Sequence, residues 1–485
     1  MAILIDEIFY YLNKMNRKVQ SLLKANKIDR FCLSAILLII VFSCGKPYLE
    51  DADVVIKNAS LIKVETGEIF HNRTILISGD TILKVIHSKE ESEFSADTII
   101  DAKGSYVMPG LWDNHVHFRG GDSLINENKD LLKLFLAHGV TTVRDAGGDI
   151  TPAVIEWRER IKKNQMDGPR IYTPGPKLDG KDPAWEGSIK VTNSEEVAKA
   201  LDSLKSIGVD YVKTYDGSLT REAYYMIIEQ AEQIGLKVTG HMPLSADVLQ
   251  SEEYGLDGTE HLYYIMKACS PVADSLEKTN PGYSMISPLL ETYNEDLAEV
   301  IFEKLGAREH FFTPTLYIGK VLARLADEDH SQDPLLRFIG PGVRKTYNGR
   351  IERAKRAKES GSTFRLKAEE IFGKMIRGMH DAGIIIMAGS DCGPYNSFVY
   401  PGQSLHGELQ MLVNKGLTPQ EALLTSITNG PRFFDIEDKY SKIEEGKVAD
   451  IIILSQNPLT DIKNLETVNT IIMGERIYNP KSLLK

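Results

Sequence analysis

The pattern of apolar and polar positions changes twice along the chain. From Asp53 to about Gly104, short β-branched runs are separated by glycine-containing turns, and a similar texture returns in residues 450–476. Such runs predict the short strands of an antiparallel sheet. Between these two regions, apolar runs of strand length alternate with stretches of helical periodicity. The pattern therefore predicts one small β domain built from both ends of the mature chain. Between these ends, strands alternate with helices.

Eight strands are predicted in the middle of the chain, with helix-like segments between most of them. The strands are the stretch that follows Pro109-Gly110 and residues 140–145, 170–173, 210–215, 236–241, 258–262, 311–316 and 384–391. Two of the intervening helices are predicted at 194–206 and 221–233. Eight strands that alternate with helices are typical of a (β/α)8 TIM barrel, whose chemistry lies at the carboxyl ends of the strands.

The predicted fold class is therefore α/β, with a barrel at 109–439 and a composite β-sandwich domain formed by 44–108 and 440–485. Two connections within the barrel, 263–310 and 319–383, are too long for simple loops and contain helical stretches. Additions on the carboxyl side of a barrel commonly form lids or specificity walls. A structural buttress is the alternative.

The composition is ordinary for a soluble globular protein, with 42% hydrophobic and 26% charged residues among 485. The formal net charge of −11 is spread over helices of mixed sign, which argues against a nucleic-acid-binding surface. The four cysteines are too few for a disulfide framework. These features argue against a nucleic-acid partner and leave a homo-oligomer open.

The N-terminal segment has the pattern of a secretory signal. A basic stretch is followed by the uncharged 13-residue run Phe31–Ser43 and then by Cys44. The run is too short for a comfortable membrane-spanning helix. Because residues 41–44 resemble a bacterial lipobox, we predict a signal peptide at 1–43 and a lipid anchor at Cys44. The protein would then be a periplasm-facing lipoprotein of the cell envelope. A soluble-type cleavage site or a short anchor is the alternative.

Candidate metal ligands occupy the ends of the predicted strands. His115 and His117 are two residues apart in an extended segment, so both imidazoles project from one face and meet at one spot, as two metal ligands must. Taken alone, such a pair could equally be packing or surface residues. Four further residues at strand ends are candidate partners: Lys213, His241, His261 and Asp391.

These residues lie within motifs that together resemble the amidohydrolase superfamily. The similarity is greatest to its imidazolonepropionase-related and Xaa-Pro dipeptidase-like branch, and it covers roughly residues 52–479. The motifs, in chain order, are VMPGLWDNHVH (107–117), GVTTVRDAGG (139–148), GPRI (168–171), VDYVKTY (209–215), GHM (240–242), TEHL (259–262), AGSD (388–391) and GKVADIIIL (446–454).

The resemblance implies a site for two divalent metal ions. Its ligands would be His115, His117, Lys213, His241, His261 and Asp391. The aspartate and the first two histidines would bind the more buried ion, the other two histidines would bind the more exposed ion, and the lysine would bridge both after carboxylation. An ammonium beside two dications is repelled, whereas a carbamate offers two anionic oxygens. Imidazole and carboxylate ligands suit zinc, with iron, manganese, cobalt and nickel as alternatives.

The chemistry expected of this site is hydrolysis of an amide or another C–N bond, in a dipeptide or an N-acyl amino acid. A hydroxide held between two metals has a lowered pKa and can attack a polarised carbonyl. Asp391 could accept its proton and deliver it to the leaving amine. Tyr215 would face the same cavity from two residues beyond the lysine, and the resemblance implies that it contacts the scissile carbonyl. Core packing is the alternative for this tyrosine.

Other readings remain open at this point. A single metal would favour a deaminase or an imidazolonepropionase-like ring opener, against which Lys213 argues because one ion needs no bridge. A lipoprotein that kept the fold as a non-catalytic binding module is an alternative of another class. A lactonase or phosphotriesterase is also open, since the same hydroxide attacks other electrophiles.

Several polar residues near the motifs are assigned no catalytic role. Arg144 and Asp145 are predicted to be structural, His138 and His406 are not expected to be ligands, and Cys392 is expected to pack. The loop at 175–185 departs from the Gly/His-rich loop of many relatives. Because that loop would line the pocket, the substrate of a particular relative cannot be transferred to this chain.

Overall fold

The computed structural model describes residues 50–90 and 94–485. Nearly all of them belong to one compact unit, Ala52–Glu90 with Ala96–Lys485, and a second unit, Met1–Asp51 with Glu91–Ser95, lies mostly outside the described residues. The predicted signal peptide at 1–43 and the anchor at Cys44 also lie outside them. Within the described part, no helix combines the length and the apolar character needed to cross a membrane.

The strands of the described part are β1 (Glu50–Lys63), β2 (Glu68–Ser78), β3 (Thr81–His87), β4 (Phe94–Asp101), β5 (Tyr106–Pro109), β6 (Leu111–Val116), β7 (Val140–Asp145), β8 (Arg170–Tyr172), β9 (Leu178–Asp179), β10 (Ile189–Lys190), β11 (Val212–Thr214), β12 (Val238–Gly240), β13 (Gly258–Glu260), β14 (Phe311–Thr313), β15 (Ile385–Ile386), β16 (Asp450–Leu454), β17 (Val468–Met473) and β18 (Arg476–Tyr478).

The α-helices of the same part are α1 (Ile125–Ala137), α2 (Thr151–Lys162), α3 (Ser194–Ser206), α4 (Arg221–Gln233), α5 (Val248–Glu253), α6 (Tyr263–Ala268), α7 (Ala273–Thr279), α8 (Ile286–Glu291), α9 (Glu295–Gly306), α10 (Leu316–Arg324), α11 (Pro341–Glu359), α12 (Phe364–Asp381), α13 (Gln403–Asn414), α14 (Pro419–Ile427), α15 (Asn429–Phe433) and α16 (Pro480–Leu483). The bounds predicted for α3 and α4 agree with those observed. Polar side chains begin both helices, since Asn193 and Thr220 accept hydrogen bonds from backbone N–H groups three residues later.

Both ends of the described chain join in one sheet of eight strands. Its order is β18-β17-β16-β5-β1-β2-β3, and β4 pairs with β1. In the middle of the sheet, Ile452 of β16 lies opposite Met108 of β5 on one side and Ile471 of β17 on the other. The association of the two ends predicted from their β-branched runs is therefore present. A separate β-sandwich domain with the bounds given above stays a prediction.

All eight strands predicted in the middle of the chain are present, although several are only two or three residues long. They are β6, β7, β8, β11, β12, β13, β14 and β15. Together with the short strands β9 and β10, they form three parallel groups, β6-β7-β8, β10-β9-β11-β12 and β13-β14-β15. Two-residue strands β9 and β10 were not predicted, because they lie in the loop at 175–185 and just beyond it. The chain is thus a mixed α/β protein in which the parallel strands alternate with helices.

The two long insertions consist of helices. Residues 263–310 contain α6 to α9, and residues 319–383 contain most of α10 with all of α11 and α12. Helices α10 and α12 pack on each other through buried residues that include Leu322, Ala368 and Ile376. The second insertion reaches the cavity described below, which agrees with a specificity wall rather than a buttress alone.

Candidate active site

The first two histidines lie at the carboxyl end of β6, where the strand meets the segment that follows β15. The N–H of His117 donates to the carbonyl of Cys392 over 2.9 Å, and the N–H of Asp391 donates to the carbonyl of His115 over 2.7 Å. Gly389 permits this approach, because a Cβ atom there would lie only 2.6 Å from the Cβ atom of His115. The backbone therefore brings Asp391 beside both histidines.

The side-chain atoms of these three residues converge on one point. The Nε2 atoms of His115 and His117 are 3.3 Å apart. Asp391 Oδ1 lies 3.2 Å from His117 Nε2 and 3.6 Å from His115 Nε2. Two ligands of one tetrahedral zinc ion lie about 3.4 Å apart. These three donors therefore have the spacing that a bound metal ion requires.

The remaining candidate ligands surround the same point. The rings of His115 and His261 have centroids 5.0 Å apart, and the rings of His261 and His241 follow at 4.8 Å. Ligand atoms of His115, His261 and Asp391 all lie within 4.8 Å of one another. Burial lowers the pKa of His115 and His261, which favours the neutral imidazole form that metal ligation requires.

Lys213 is buried beside these histidines, with a side chain that is 1% exposed. Within the described residues its Nζ atom makes no hydrogen bond, although it forms an ion pair with Glu260 Oε1 at 3.4 Å. Burial lowers the pKa of Lys213 to about 8. A buried amine without hydrogen bonds is costly in a folded protein, so the donor set fits a modified lysine that binds metal.

Each of the four histidines is oriented by a partner on its Nδ1 atom, which leaves Nε2 for the site. The partners are Glu260 Oε2 for His115 (2.5 Å), the carbonyl of Gly147 for His117 (3.2 Å), Asp216 Oδ1 for His241 (2.9 Å) and Thr315 Oγ1 for His261 (2.7 Å). Such partners fix the tautomer and the ring orientation of metal-binding histidines. Sequence reasoning missed Glu260, Asp216 and Thr315. The signal available in the sequence was the position of Glu260 at the end of a short strand, directly before the candidate ligand His261.

Glu260 connects several buried charges. Besides His115, its carboxylate accepts hydrogen bonds from Arg144 Nη2 at 2.8 Å and from Thr239 Oγ1 at 3.1 Å. Arg144 also donates through Nε to the carbonyl of Asn114 and through Nη2 to Thr313. Arg144 thus makes the internal contacts expected of a structural residue, and Glu260 links it to the candidate ligands.

We expect Glu260→Gln to weaken metal binding about 10- to 100-fold, because His115 loses the carboxylate that orients it. The variant also leaves Arg144 buried without a counter-ion, a change that costs about 3–5 kcal/mol of stability. Metal affinity is measured by competition with a chromophoric chelator, and stability by urea unfolding. Glu195→Gln is the matched control, since this side chain is 78% exposed. Unchanged metal affinity in the Glu260 variant would contradict the orienting role.

A cavity of about 180 Å³ opens beside the candidate ligands and is lined by His117, His241, His261 and Asp391 among others. Tyr215 also lines it and stacks on His241, with ring centroids 4.3 Å apart. Apolar residues of the second insertion form another part of its wall. A cavity of mixed lining next to metal donors is suited to a small substrate with one polar reacting group.

The divergent loop at 175–185 supplies two residues near this cavity. Trp185 lines it directly, and Lys177 is buried with its ammonium 5.1 Å from the Trp185 ring and 5.4 Å from the Tyr215 ring. Burial and the nearby Arg119 hold the pKa of Lys177 well below its usual value. The departure from the pattern of many relatives therefore changes the charge and shape of the pocket wall.

The polar residues that were assigned no catalytic role lie outside the cavity lining. His406 Nε2 contacts the carbonyl of His138 at 2.8 Å, and the two rings are 5.7 Å apart. Asp145 accepts a hydrogen bond from Thr173 Oγ1 at 2.8 Å. Cys392 is a buried free cysteine.

Comparison with known proteins adds a family match and a shared fold. The sequence pattern of the amidohydrolase family matches residues 106–477. An ochratoxinase of Aspergillus niger is 23% identical over an alignment of 472 positions that covers 85% of this chain and 84% of that one. An adenine deaminase of Clostridium acetobutylicum is 26% identical over an alignment of 248 positions that covers 48% of this chain and 39% of the deaminase. A solved Xaa-Pro dipeptidase with methionine bound in its active site superposes with a TM-score of 0.63 and 19% identity, over 88% of this chain and 99% of that one.

Proposed function

The chain belongs to the amidohydrolase family, and on this premise we propose that it is a metal-dependent hydrolase of an amide or another C–N bond. We place its substrate among dipeptides and N-acyl amino acids. One observation carries the proposal: the buried Lys213 amine makes no hydrogen bond within the described residues and lies close to the candidate ligands His115 and His261. A two-metal site bridged by a carbamate explains this position.

The architecture that we propose for this function is a closed (β/α)8 barrel. Backbone hydrogen bonds join the three parallel groups to one another. Asp210 N donates to Thr173 O, Asp257 N to Val238 O and His117 N to Cys392 O. The first hydrogen bond joins the ends of β8 and β11, and the second joins those of β12 and β13. The third joins the segment after β15 to β6. If the three groups close into a barrel in this order, the carboxyl ends of all eight strands would surround the candidate ligands.

Two divalent ions, preferably zinc because the ligands are imidazole and carboxylate groups, would be held by six residues. They are His115, His117, Lys213, His241, His261 and Asp391. In its neutral form the Lys213 amine attacks carbon dioxide, forms a C–N bond and releases one proton, which leaves a carbamate. The lowered pKa of this lysine makes the neutral amine available near pH 8. When bound, such ions lower the pKa of a water molecule and polarise a carbonyl group.

The chain's own residues would position the substrate and move the proton. Asp391 accepts a proton from the attacking water and gives it to the leaving nitrogen, so the amine departs in its neutral form. Its carboxylate is held for this task by Asn396, whose Nδ2 donates to Asp391 Oδ1 over 2.8 Å. Tyr215 lines the cavity beside His241, and its hydroxyl would donate to the carbonyl oxygen of the scissile bond.

The relatives are compatible with this reaction. The Xaa-Pro dipeptidase acts, by its name, on dipeptides, and it shares the fold of this chain. The likeness to an adenine deaminase favours a second candidate, a deaminase or ring opener that uses one metal, but it covers only 48% of this chain. The buried lysine favours the two-metal hydrolase, because a single ion needs no bridge.

The test measures which products the protein releases from a panel of compounds. The protein is purified without chelators and in bicarbonate. The panel contains dipeptides, N-acyl amino acids, adenine and a cyclic amide. Release of a free amino acid from the first two classes supports the proposal. Release of ammonia from adenine, or opening of the cyclic amide alone, would replace it with the second candidate.

For the location of the enzyme, we propose a lipid anchor at Cys44 in the bacterial envelope, facing the periplasm. The proposal rests on the basic stretch, the short apolar run and the lipobox-like residues 41–44. A Cys44→Ala variant is expected to leave the membrane fraction of a bacterial host, while the wild-type protein stays in it. Equal partition of the two proteins would contradict the anchor.

A further inference from the structure

The second insertion brings positive charge into the catalytic cavity. Arg350 of α11 and Arg365 of α12 both line it, together with the apolar side chains of Leu322, Phe364 and Phe372. Within the described residues, neither arginine has a carboxylate oxygen within 4.0 Å. A half-buried guanidinium without a counter-ion is costly unless a ligand supplies the negative charge.

Arg350 is held in place by the segment that follows Asp391. Its Nε atom donates to the carbonyl of Tyr395 over 2.8 Å, and its Nη2 atom donates to Asn396 Oδ1 over 2.6 Å. Asn396 in turn donates to Asp391. The Nη1 atom of Arg350 makes no hydrogen bond to any residue that the structure describes. The guanidinium is therefore fixed in orientation but keeps donors for a ligand.

The charges around the cavity do not balance without an anion. Glu369 and Asp391 are the acidic lining residues, and Glu369 is already paired with Arg324 at 2.6 Å. Arg119 adds a third arginine to the lining, stacked 4.2 Å from the Trp185 ring. Metal ions bound by Asp391 would increase the positive excess. The cavity thus favours a negatively charged substrate over a neutral one.

We propose that Arg350 and Arg365 bind the carboxylate of the substrate's leaving amino acid. Its apolar side chain packs on Leu322, Phe364 and Phe372. This inference rests on the proposed function, and it narrows the substrate to N-acylated or N-aminoacylated amino acids with a free carboxylate and an apolar side chain. The carboxylate accepts paired hydrogen bonds from guanidinium, a geometry that arginine provides and lysine does not.

The distances agree with this placement. Asn396 bridges the two groups, so Arg350 Nη2 lies no more than about 8 Å from Asp391 Oδ1. In the leaving amino acid, one carbon atom separates the nitrogen from the carboxylate. When its nitrogen lies within hydrogen-bond reach of Asp391, this separation allows the carboxylate to reach Arg350.

A second cleft extends the cavity outward and gives the apolar side chain room. It has a volume of about 570 Å³ and shares Leu322, Arg350, Phe364 and Arg365 with the catalytic cavity. Leu325 and Leu366 continue its apolar wall. These residues belong to the second insertion, so this insertion would determine the specificity for the apolar side chain.

The first test measures binding without chemistry. The probe is N-benzyl-leucine, a secondary amine that a hydrolase cannot cleave, and it is compared by calorimetry with its neutral carboxamide on the metal-loaded protein. We expect the carboxylate form to bind about 10- to 100-fold tighter. Equal binding of both forms, or binding of neither, would overturn the inference.

Arginine variants then test which residues cause the preference for the carboxylate probe. Arg350→Met is expected to abolish the preference for the carboxylate while the carboxamide binds as before. Arg365→Met, which has no contact with Asn396, is expected to reduce it and serves as the second variant if the first fails to fold. Arg356→Met is the matched control, an exposed residue of the same helix outside both cavities. A preference that survives both cavity variants would overturn the assignment.

Hydrolysis of N-acetyl-leucine and its carboxamide separates this inference from the proposed function. Selective binding of the carboxylate probe without cleavage of any amide would overturn the function and keep the subsite. Cleavage of both compounds with equal kcat/KM would keep the function and overturn the subsite. Preferential cleavage of N-acetyl-leucine, lost through a higher KM in Arg350→Met, supports both.

Discussion

Replacement of Lys213 by alanine is expected to lower metal content from about two ions per chain to about one, and hydrolysis by about 10³-fold or more. The physical reason is the loss of the bridging ligand, which no other side chain can replace. Lys213 is completely enclosed, and the nearby Glu260 is already engaged by His115 and Arg144. Metal content is measured by plasma mass spectrometry on protein that begins after Cys44.

Two controls make this result specific. Lys199→Ala removes a lysine that is 74% exposed on α3, and it is expected to change neither quantity. Acetate added to the Lys213 variant supplies a carboxylate to the space left by the side chain, and partial recovery of activity is expected. A Lys213 variant that keeps both its metal content and its activity would exclude the carbamate-bridged site.

Replacement of Asp391 by asparagine is expected to lower kcat by about 10²- to 10⁴-fold, the range of a lost general base. The amide has nearly the shape of the carboxylate but cannot accept the proton of the attacking water. Asp391 has a φ of 55°, a left-handed conformation that asparagine tolerates well, so the backbone can be retained. The loss should therefore arise from chemistry rather than from local unfolding.

Because Asp391 is also a candidate ligand, metal content must be measured in the same samples. The comparison uses variant protein loaded to the metal content of the wild type, and Asp130→Asn on the exposed face of α1 is the control. A fully loaded Asp391 variant with kcat within tenfold of the wild-type value would show that another group moves the proton.

Much of the fold could be predicted because its signals are local. Strand-length apolar runs and the helical periods between them follow from the side-chain directions of single elements. All eight middle strands were found in this way, as were α3 and α4. The two-residue strands β9 and β10 were missed, because so short a segment carries no periodicity.

The candidate ligands were likewise visible in the chain, since each lies at or near the end of a predicted strand and in a motif of the family. Their roles as metal ligands stay predictions, but the structure brings all six residues together. Which residue orients which histidine could not be predicted. Glu260 contacts His115 across 145 positions of sequence, and Asp216 contacts His241 across 25. Nothing in the sequence around either partner specifies such a pairing.

The sequence by itself determined which elements form, which strand ends carry histidine, lysine and aspartate, and which family the motifs resemble. These features depend on neighbours along the chain. The tertiary structure decided which nitrogen of each histidine faces the site, which insertion lines the cavity, and how Arg350 is fixed beside Asp391 through Asn396. Those features depend on contacts between segments that meet only when the parallel strands and the insertion helices pack.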